Sequence, residues 1–365
     1  MNSISASAMR EAVSSAATVP LRWIGPIKIS GNALDDAVEV PLATYETTLW
    51  PSVARGAKVS RACRDGIVAT LTDVRMTRSV LLQADSAAAA LDAVRLLSQG
   101  REPLHAVVAT VSRHTRLIDM HHQIIGNLLF LRFEFTTGDA AGHNMVTAAS
   151  DALLGWILGQ VPGVRYGSVS GNFCTDKKPS AVNGILGRGR AVVAELLVPS
   201  AIVRDLLHST ATRIAELNTT KNLIGSIVAG AVRSANAHYA NMLLATYLAT
   251  GQDAANIVEG AQGITTAQDR DGDLYFSCTV PNLIVGTVGN GKQWDFVEAN
   301  LARMGCRDPR PAGANADRLA AIIAATVLCG ELSLLAAQTN PGELMRAHQR
   351  YERAPQARQP ERIQP

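Results

Sequence analysis

Asp176, Lys177 and Lys178 place one carboxylate and two ammonium groups on consecutive residues, directly ahead of Pro179. A lysine held beside a carboxylate in a dry cleft stays charged. It can then donate to an oxygen that turns negative during reaction, which makes such a pair an oxyanion device. Proline biases Lys178 toward an extended conformation, and extended neighbours point to opposite faces, so the two lysines are expected to serve different purposes. The same three residues also suit an ordinary solvated turn. Their surroundings favour chemistry: the run 168–190 is polar and glycine-rich, yet lies between apolar strand-like runs at 164–169 and 191–198, a setting in which loops carry function.

Other residues of the same kind are scattered along the chain. Glu46 interrupts a stretch of apolar and hydroxyl residues; if buried, its raised pKa would let it hold a proton near neutrality and deliver it to a carbonyl oxygen, and a capping or surface role is the alternative. Ser52, Arg55 and Lys58 recur every three residues and share one helical face, fit for phosphate or for solvent. Lys221, His238 and Asn241 are polar residues in a small, apolar stretch, so each needs a partner if buried. A helix opening within 137–144 (Thr-Gly-Asp-Ala-Ala-Gly-His-Asn) is a ready anion site, unless Asp139 merely caps it. Asp253 follows a helix-ending glycine and suits first-turn charge compensation. His348 lies in a polar, arginine-rich tail, where an imidazole is solvated or serves as an acid near pH 7.

The run Ser170-Gly-Asn-Phe-Cys-Thr-Asp-Lys-Lys-Pro, followed by Gly-Arg-Gly-Arg, resembles the central signature of 3-hydroxy-3-methylglutaryl-CoA (HMG-CoA) reductases, and further stretches extend the resemblance from about residue 22 to 350. It implies a catalytic set of Glu46, Lys177, Asp253 and His348, with Asp253 bridging Lys177 and Glu46 and His348 protonating the departing thiolate. It implies acyl-group contacts from Arg78, Ser170, Asn172, Asp176, Lys178, Lys221 and Asn241, and coenzyme A contacts from Ser52, Arg55, Lys58 and His238. Asp139, Gly142, His143, Asn144, Gly289 and Gly291 match dinucleotide contacts. Ser112 and Arg113 match positions near the adenosine 2′-phosphate, which favours NADPH, with NADH as the alternative. No metal is expected. The implied reaction takes the HMG-CoA thioester to mevalonate and free coenzyme A with two NADPH. A homodimer or higher homo-oligomer with active sites at subunit interfaces is implied. The chain departs from the family pattern at Ala141 and His143, where methionines are usual, at Arg233-Ser234 for Gly-Gly, at Asn290 for glycine, and at 14–20, which lacks the Glu-Asn motif of the dimer contact. These departures keep open a related reductase with another acyl-CoA, or a non-catalytic coenzyme A-binding homologue.

Composition agrees. At 365 residues, two domains are the natural expectation. A net charge of +3 with 4% aromatic residues argues against a nucleic-acid partner. The five cysteines are scattered without metal-ligand spacing, which suggests reduced thiols in the cytoplasm. The apolar run 319–330, closed by Glu331, reads as a buried helix too short to span a bilayer, and no membrane anchor is expected.

The elements that must position these residues follow from periodicity. Strand patterns occur near 22–29 and 38–44, and at 80–83. Asp85 can cap a helix at 86–99, and 104–111 show a second helical face. Strands at 116–125 and 128–136 flank a Gly126-Asn127 turn, and a helix over 141–158 and a strand from 164 follow. That order is a split βαβ module. Ser200 can cap a helix over 201–217, and 274–279 and 283–288 look like strands. The fold class is therefore α+β. Together with the resemblance, this order implies a large helical and β substrate-binding domain (21–79 and 169–340) with an inserted ferredoxin-like dinucleotide-binding domain (80–168), a flexible lead at 1–20 and a mobile tail flap at 341–365.

Overall fold

The computed structural model describes residues 17–352, so most of the lead and the tail beyond 352 lie outside the described residues. The strands are β1 (Leu21–Gly31), β2 (Asp36–Ala43), β3 (Ile67–Ala84), β4 (Arg116–Ile125), β5 (Leu128–Thr136), β6 (Val164–Ser168), β7 (Gly189–Val198), β8 (Ile264–Arg270) and β9 (Asp273–Leu283). With 18 residues, β3 is far longer than the usual strand of roughly five or six, and it serves two sheets. Its first half pairs parallel with β1 and antiparallel with β7, giving the order β2-β1-β3-β7-β9-β8. Its second half pairs antiparallel with β5 and β6, and β5 pairs with β4, giving β4-β5-β3-β6. The result is a mixed α+β fold in which one strand joins two hydrophobic cores.

The first core forms around helix Ala314–Gln338. By length and composition this helix could cross a membrane, but nearly all of it is buried inside the protein, against helices Leu49–Ala62 and Tyr239–Ala249. The expectation that Glu331 closes an apolar run is corrected here: the helix continues past it. Glu331 lies fully buried and accepts bonds from the amides of Ala237 (2.5 Å) and His238 (3.0 Å) and from Thr265 Oγ1 (3.0 Å). A buried carboxylate is tolerated because its partners replace water. Helix Leu49–Ala62 meets the long helix backbone to backbone at Gly56, where a Cβ would lie 2.3 Å from the Cys329 carbonyl oxygen. The second core packs helices Ala87–Gln99, Glu102–Val111 and His143–Gln160 onto β3, β4 and β5.

Several expected elements change. The single helix at 201–217 is two, Ser200–Leu207 and Ala211–Leu217, because His208 turns left-handed (φ 53°) and Thr210 caps anew by accepting the Arg213 amide. Ser200 makes no cap bond with its side chain. Ser86, not Asp85, caps the helix that follows it, while Asp85 pairs with Arg165 at 2.7 Å. Residues 284–288 are not a strand: the Gly286 amide bonds Gln252 Oε1, that of Thr287 bonds the Asp139 carbonyl, and Arg190 takes the Val285 carbonyl. The backbone is satisfied by side chains and a loop rather than by a ladder.

Glu331→Ala would strand the Ala237 and His238 amides and the buried Thr265 hydroxyl. We expect a loss of about 3 kcal/mol or more in folding stability, read as a lower denaturation midpoint in urea. An unchanged midpoint would contradict this assignment.

Candidate active site

The loop between β6 and β7 carries the Asp-Lys-Lys run. Asn172 (φ 59°), Thr175 (φ 40°) and Lys177 (φ 55°) all adopt left-handed backbone there, a strained conformation that persists only when surroundings enforce it. Two buried arginines enforce it. From β5, Arg132 donates to the carbonyls of Phe173 (3.2 Å) and Gly187, and to Asn183 Oδ1 (3.2 Å). From the end of the loop, Arg188 donates to Thr77 O (2.5 Å) and Thr77 Oγ1 (3.0 Å) on β3, to Asp176 Oδ1 (2.7 Å), and lies 3.4 Å from Glu259 Oε1. Gly187 and Gly189 (φ 90° each) turn Arg188 inward between them, and a Cβ on Gly189 would lie 2.5 Å from Leu283 O.

Asp176 is the hub of this layer. Besides Arg188 it faces Arg78 Nη1 and His143 Nε2, each at 3.7 Å. Arg78 leaves its buried Nε without a partner, so a donor remains for an anion. His143 also contacts Asn256 Oδ1 at 3.3 Å. Burial and then Arg188 hold its imidazole below the usual histidine range, against the pull of Asp176. Glu259 is fully buried, and that burial pushes its carboxyl up despite Arg188.

Lys177 and Lys178 separate as expected, but for a different reason: Lys177 is left-handed, so strand alternation is not the cause. Lys177 Nζ lies 2.6 Å from Asp253 Oδ2, whereas Lys178 Nζ donates back to the Asp176 carbonyl at 2.9 Å. The bond to Asp253 raises the Lys177 pKa, outweighing burial. Burial works to raise that of Asp253, but Lys177 and the Ala255 amide (3.1 Å) outweigh it and hold the carboxyl below its ordinary range. Asp253 thus caps the short 3-10 turn Ala254–Asn256 as well as holding the lysine. Ser170 and Asn172 stand in the same loop; Ser170 donates its amide to Ser168 Oγ, and Asn172 is exposed.

Glu46 and His348 are not in this layer. They line a separate cleft of about 820 Å³, together with Ser52, Arg55, His208, His238 and Asn241. Among the described residues no hydrogen bond or ion pair joins Glu46 to Lys177 or Asp253, so the expected bridge through Asp253 does not form within one chain; its carboxylate is taken by Lys177. The floor of the cleft is helix Leu49–Ala62 and its cover is the helix Glu343–Glu352, pinned by Arg55 Nη1 to Glu343 (2.8 Å) and by Thr47 Oγ1 to the Tyr351 carbonyl (3.1 Å). Arg55, expected on a face fit for phosphate or for solvent, also donates to Ser333 Oγ at 3.0 Å. Lys58 is exposed on the same helix and does not line the cleft. His238 Nε2 sits 2.9 Å from Gly330 O, and its Nδ1 is 3.5 Å from Asn241 Nδ2. Lys221 lies outside the cleft in the π-helical turn Asn218–Gly225, bonded to Asn222 Oδ1 at 2.9 Å, and burial lowers its pKa.

The residues matched to a dinucleotide also divide. Gly142 (φ 94°) ends the glycine turn at the start of helix His143–Gln160, with Asn144 exposed in its first turn. Next to it runs the glycine loop 286–291, through a parallel bridge between Ala140 and Val288. A Cβ on Gly286 would lie 2.4 Å from the Ala141 amide, while one on Gly289 meets nothing. Gly291 packs on Gly251. Asp139 does not cap the helix that follows it; it accepts the amides of Gly313 (2.9 Å) and Ala316 (3.0 Å) and so caps the long helix Ala314–Gln338. Ser112 and Arg113 end helix Glu102–Val111, where Ser112 Oγ accepts the His114 amide and Arg113 is exposed, its Nε 3.0 Å from His114 Nε2. Arg233 is left-handed (φ 46°), with its guanidinium against Gly184. Sequence reasoning missed Glu259, Asn256 and Lys292. Only Lys292, a cation directly after the glycine run, offered a signal.

Residues 1–353 match the family model for hydroxymethylglutaryl-coenzyme A reductase. The chain is 46% identical to the 3-hydroxy-3-methylglutaryl-coenzyme A reductase of Pyrococcus horikoshii, over 90% of this chain and 80% of that protein. It is 41% identical to that of Phycomyces blakesleeanus, over 93% of this chain and 29% of that much longer protein. Among solved structures, the fold is similar to a class II 3-hydroxy-3-methylglutaryl-CoA reductase from Streptococcus pneumoniae bound to NADPH, with a TM-score of 0.71 at 18% identity, covering 93% of this chain and 90% of that one. With its signature loop and its paired lysine and aspartate in place, the chain belongs to the hydroxymethylglutaryl-coenzyme A reductase family.

Proposed function

We propose that this chain is an HMG-CoA reductase: one HMG-CoA, two NADPH and two protons give mevalonate, coenzyme A and two NADP+. The observation that carries this is the Lys177–Asp253 pair, 2.6 Å apart, with Lys177 on a left-handed loop held by two buried arginines and Asp253 on the turn that follows helix Tyr239–Ala249. An ammonium so held keeps its charge and offers its remaining donors to an oxygen becoming negative at a thioester carbon. Asp176, Arg78, Ser170, Asn172, Lys178, Lys221 and Asn241 are the groups we assign to the acyl portion; the orphaned Arg78 Nε suits a carboxylate.

The cleft of about 820 Å³ is lined by Arg55, Arg346 and Arg350 with His208 and His238, a charge pattern fit for the phosphates of coenzyme A. Ser52 lines the same cleft, and Lys58 on the same helix would reach the coenzyme only from outside it. Among the lining residues, Glu46 would pass a proton and His348 would protonate the thiolate. NADPH, when bound, supplies hydride. Gly142, His143 and Asn144 at a helix N-terminus, with the bridged loop bearing Gly289 and Gly291, would hold it, and Arg113 suits a 2′-phosphate. Asp139 shapes this site indirectly, as a cap. The order β4-β5-β3-β6 with its helices supports reading 80–168 as the inserted ferredoxin-like dinucleotide domain, and 21–79 with 169–340 as the large domain. Five buried free thiols support a reducing cytoplasmic setting.

The separation of the two half-sites supports an oligomer. Glu46 and His348 from one subunit would meet Lys177 and Asp253 of another, and Ile185 of the signature loop, with Ile227 and Val228 of the short helix Ser226–Val228, offers exposed apolar surface for such a contact (65%, 77% and 81% exposed).

Lys177→Ala should lower kcat by about 10² to 10³ with little change in folding, since the side chain is partly exposed. Near-normal turnover would contradict the assignment. Because the Asp253 pKa is depressed, its stabilising pairing is present above the ordinary carboxylate range and is lost as pH falls through the lowered value. Because that of Lys177 is raised, its pairing is present below the ordinary lysine range and is lost as pH rises through the raised value. The pair therefore stays ionised across neutrality, and any neutral limb in the kcat profile should survive Lys177→Arg.

Mixing Glu46→Gln subunits with Lys177→Ala subunits tests the shared site. Refolded hybrids should regain turnover that neither variant shows alone, because one site per hybrid then has both residues intact. Hybrids as inactive as their parents would place the two residues in one chain's site.

A further inference from the structure

The glycine loop 286–292 is fastened at both ends to the turn 250–253. At one end the Gly286 amide donates to Gln252 Oε1 at 2.9 Å, and Gln252 Nε2 donates to Thr250 O at 2.7 Å. At the other end Lys292 Nζ donates to the Gly251 carbonyl at 2.5 Å. Between them the two backbones touch: a Cβ on Gly251 would lie 2.2 Å from Gly291 O, and one on Gly291 would lie 2.4 Å from Gly251 O. Both glycines are left-handed, with φ of 63° and 84°.

Lys292 is only 8% exposed. Lysine is rarely buried, since its flexible stem can carry the ammonium to water, and taking that charge inside costs desolvation. Burial pushes its pKa down to about 8; Arg307 pushes the same way and Asp253 opposes. The fold nevertheless holds the ammonium on the Gly251 carbonyl. That carbonyl lies two residues before Asp253, whose carboxylate is the partner of Lys177. A shift of the glycine loop is thereby passed to the turn that aims Asp253.

We propose that Lys292 is a positioning residue that locks the turn carrying Asp253 onto the glycine loop, so that the Lys177–Asp253 pair is set by how that loop is seated. This deepens the reductase reading and rests on it.

Lys292→Met removes the ammonium and keeps the stem. We expect kcat with HMG-CoA and NADPH to fall about 10- to 100-fold, as small misplacements of reacting groups do, with KM for HMG-CoA little changed. Lys292→Gln, which keeps a donor, should recover part of that loss. In an Asp253→Asn background the Lys292→Met change should cost little more, because the lysine acts through Asp253. Full additivity, or wild-type kcat in Lys292→Met, overturns the proposal. Hydrogen exchange gives a readout free of catalysis: amides 252–255 should exchange faster in Lys292→Met while the core of helix Ala314–Gln338 keeps its protection, and unchanged exchange at 252–255 also overturns it. Wild-type turnover in the same series tests the reductase reading separately, since its absence would remove that reading while exchange still decides what Lys292 holds.

Discussion

Two guanidinium groups taken out of water, those of Arg132 and Arg188, are the constraint on which the site depends. A buried charge is stable only when its donors are all met, and a rigid fork of donors dictates where its acceptors must stand. Arg132 draws in the carbonyls of Phe173 and Gly187, and Arg188 draws Asp176 toward β3 and Glu259. With those points fixed, the chain between has little choice but the left-handed conformations seen at Asn172, Thr175 and Lys177. Lys177 is then presented outward to Asp253 instead of folding back into solvent. The strain is local, and the buried network offsets it.

The same economy of partners explains why the two groups of residues stay apart within one chain. Asp253 has its carboxylate committed to Lys177 and to a backbone amide, and Arg55 is committed to Ser333 and Glu343. Neither reaches the other's layer. The long helix Ala314–Gln338 lines the cleft through Ser333 and Ala337, and its buried Glu331 ties down the amides of Ala237 and His238. Its N-terminus is capped by Asp139, next to the glycine turn. One helix therefore links the cleft at one end to the glycine turn at the other.

Much of this was legible in the sequence where the information is local. The signature run, the hairpin at Gly126-Asn127 and the strands on either side of it follow from contiguous residues and period-2 alternation, and the structure has them at those positions. What was not legible depends on partners far away in the chain. Asp139 sits four residues before a helix it could cap, yet it bonds the start of one 174 residues on. Residues 284–288 alternate like a strand but have their backbone groups taken by Gln252, Asp139 and Arg190. The break at His208 comes from a left-handed residue that is not glycine, whose carbonyl Asn340 holds at 2.8 Å. Glu259 stood out only once its burial was known, because nothing in a lone Glu announces it; Lys292 follows the glycine run directly, but that its ammonium is taken out of water shows only in the fold.

The central claim is that these groups together reduce a thioester. It is tested most directly by following NADPH absorbance and free thiol release in one reaction, with and without HMG-CoA. The account predicts oxidation that depends on HMG-CoA, with two NADPH consumed per coenzyme A thiol released. Oxidation that proceeds equally without HMG-CoA, or tight coenzyme A binding with no oxidation at all, would contradict it.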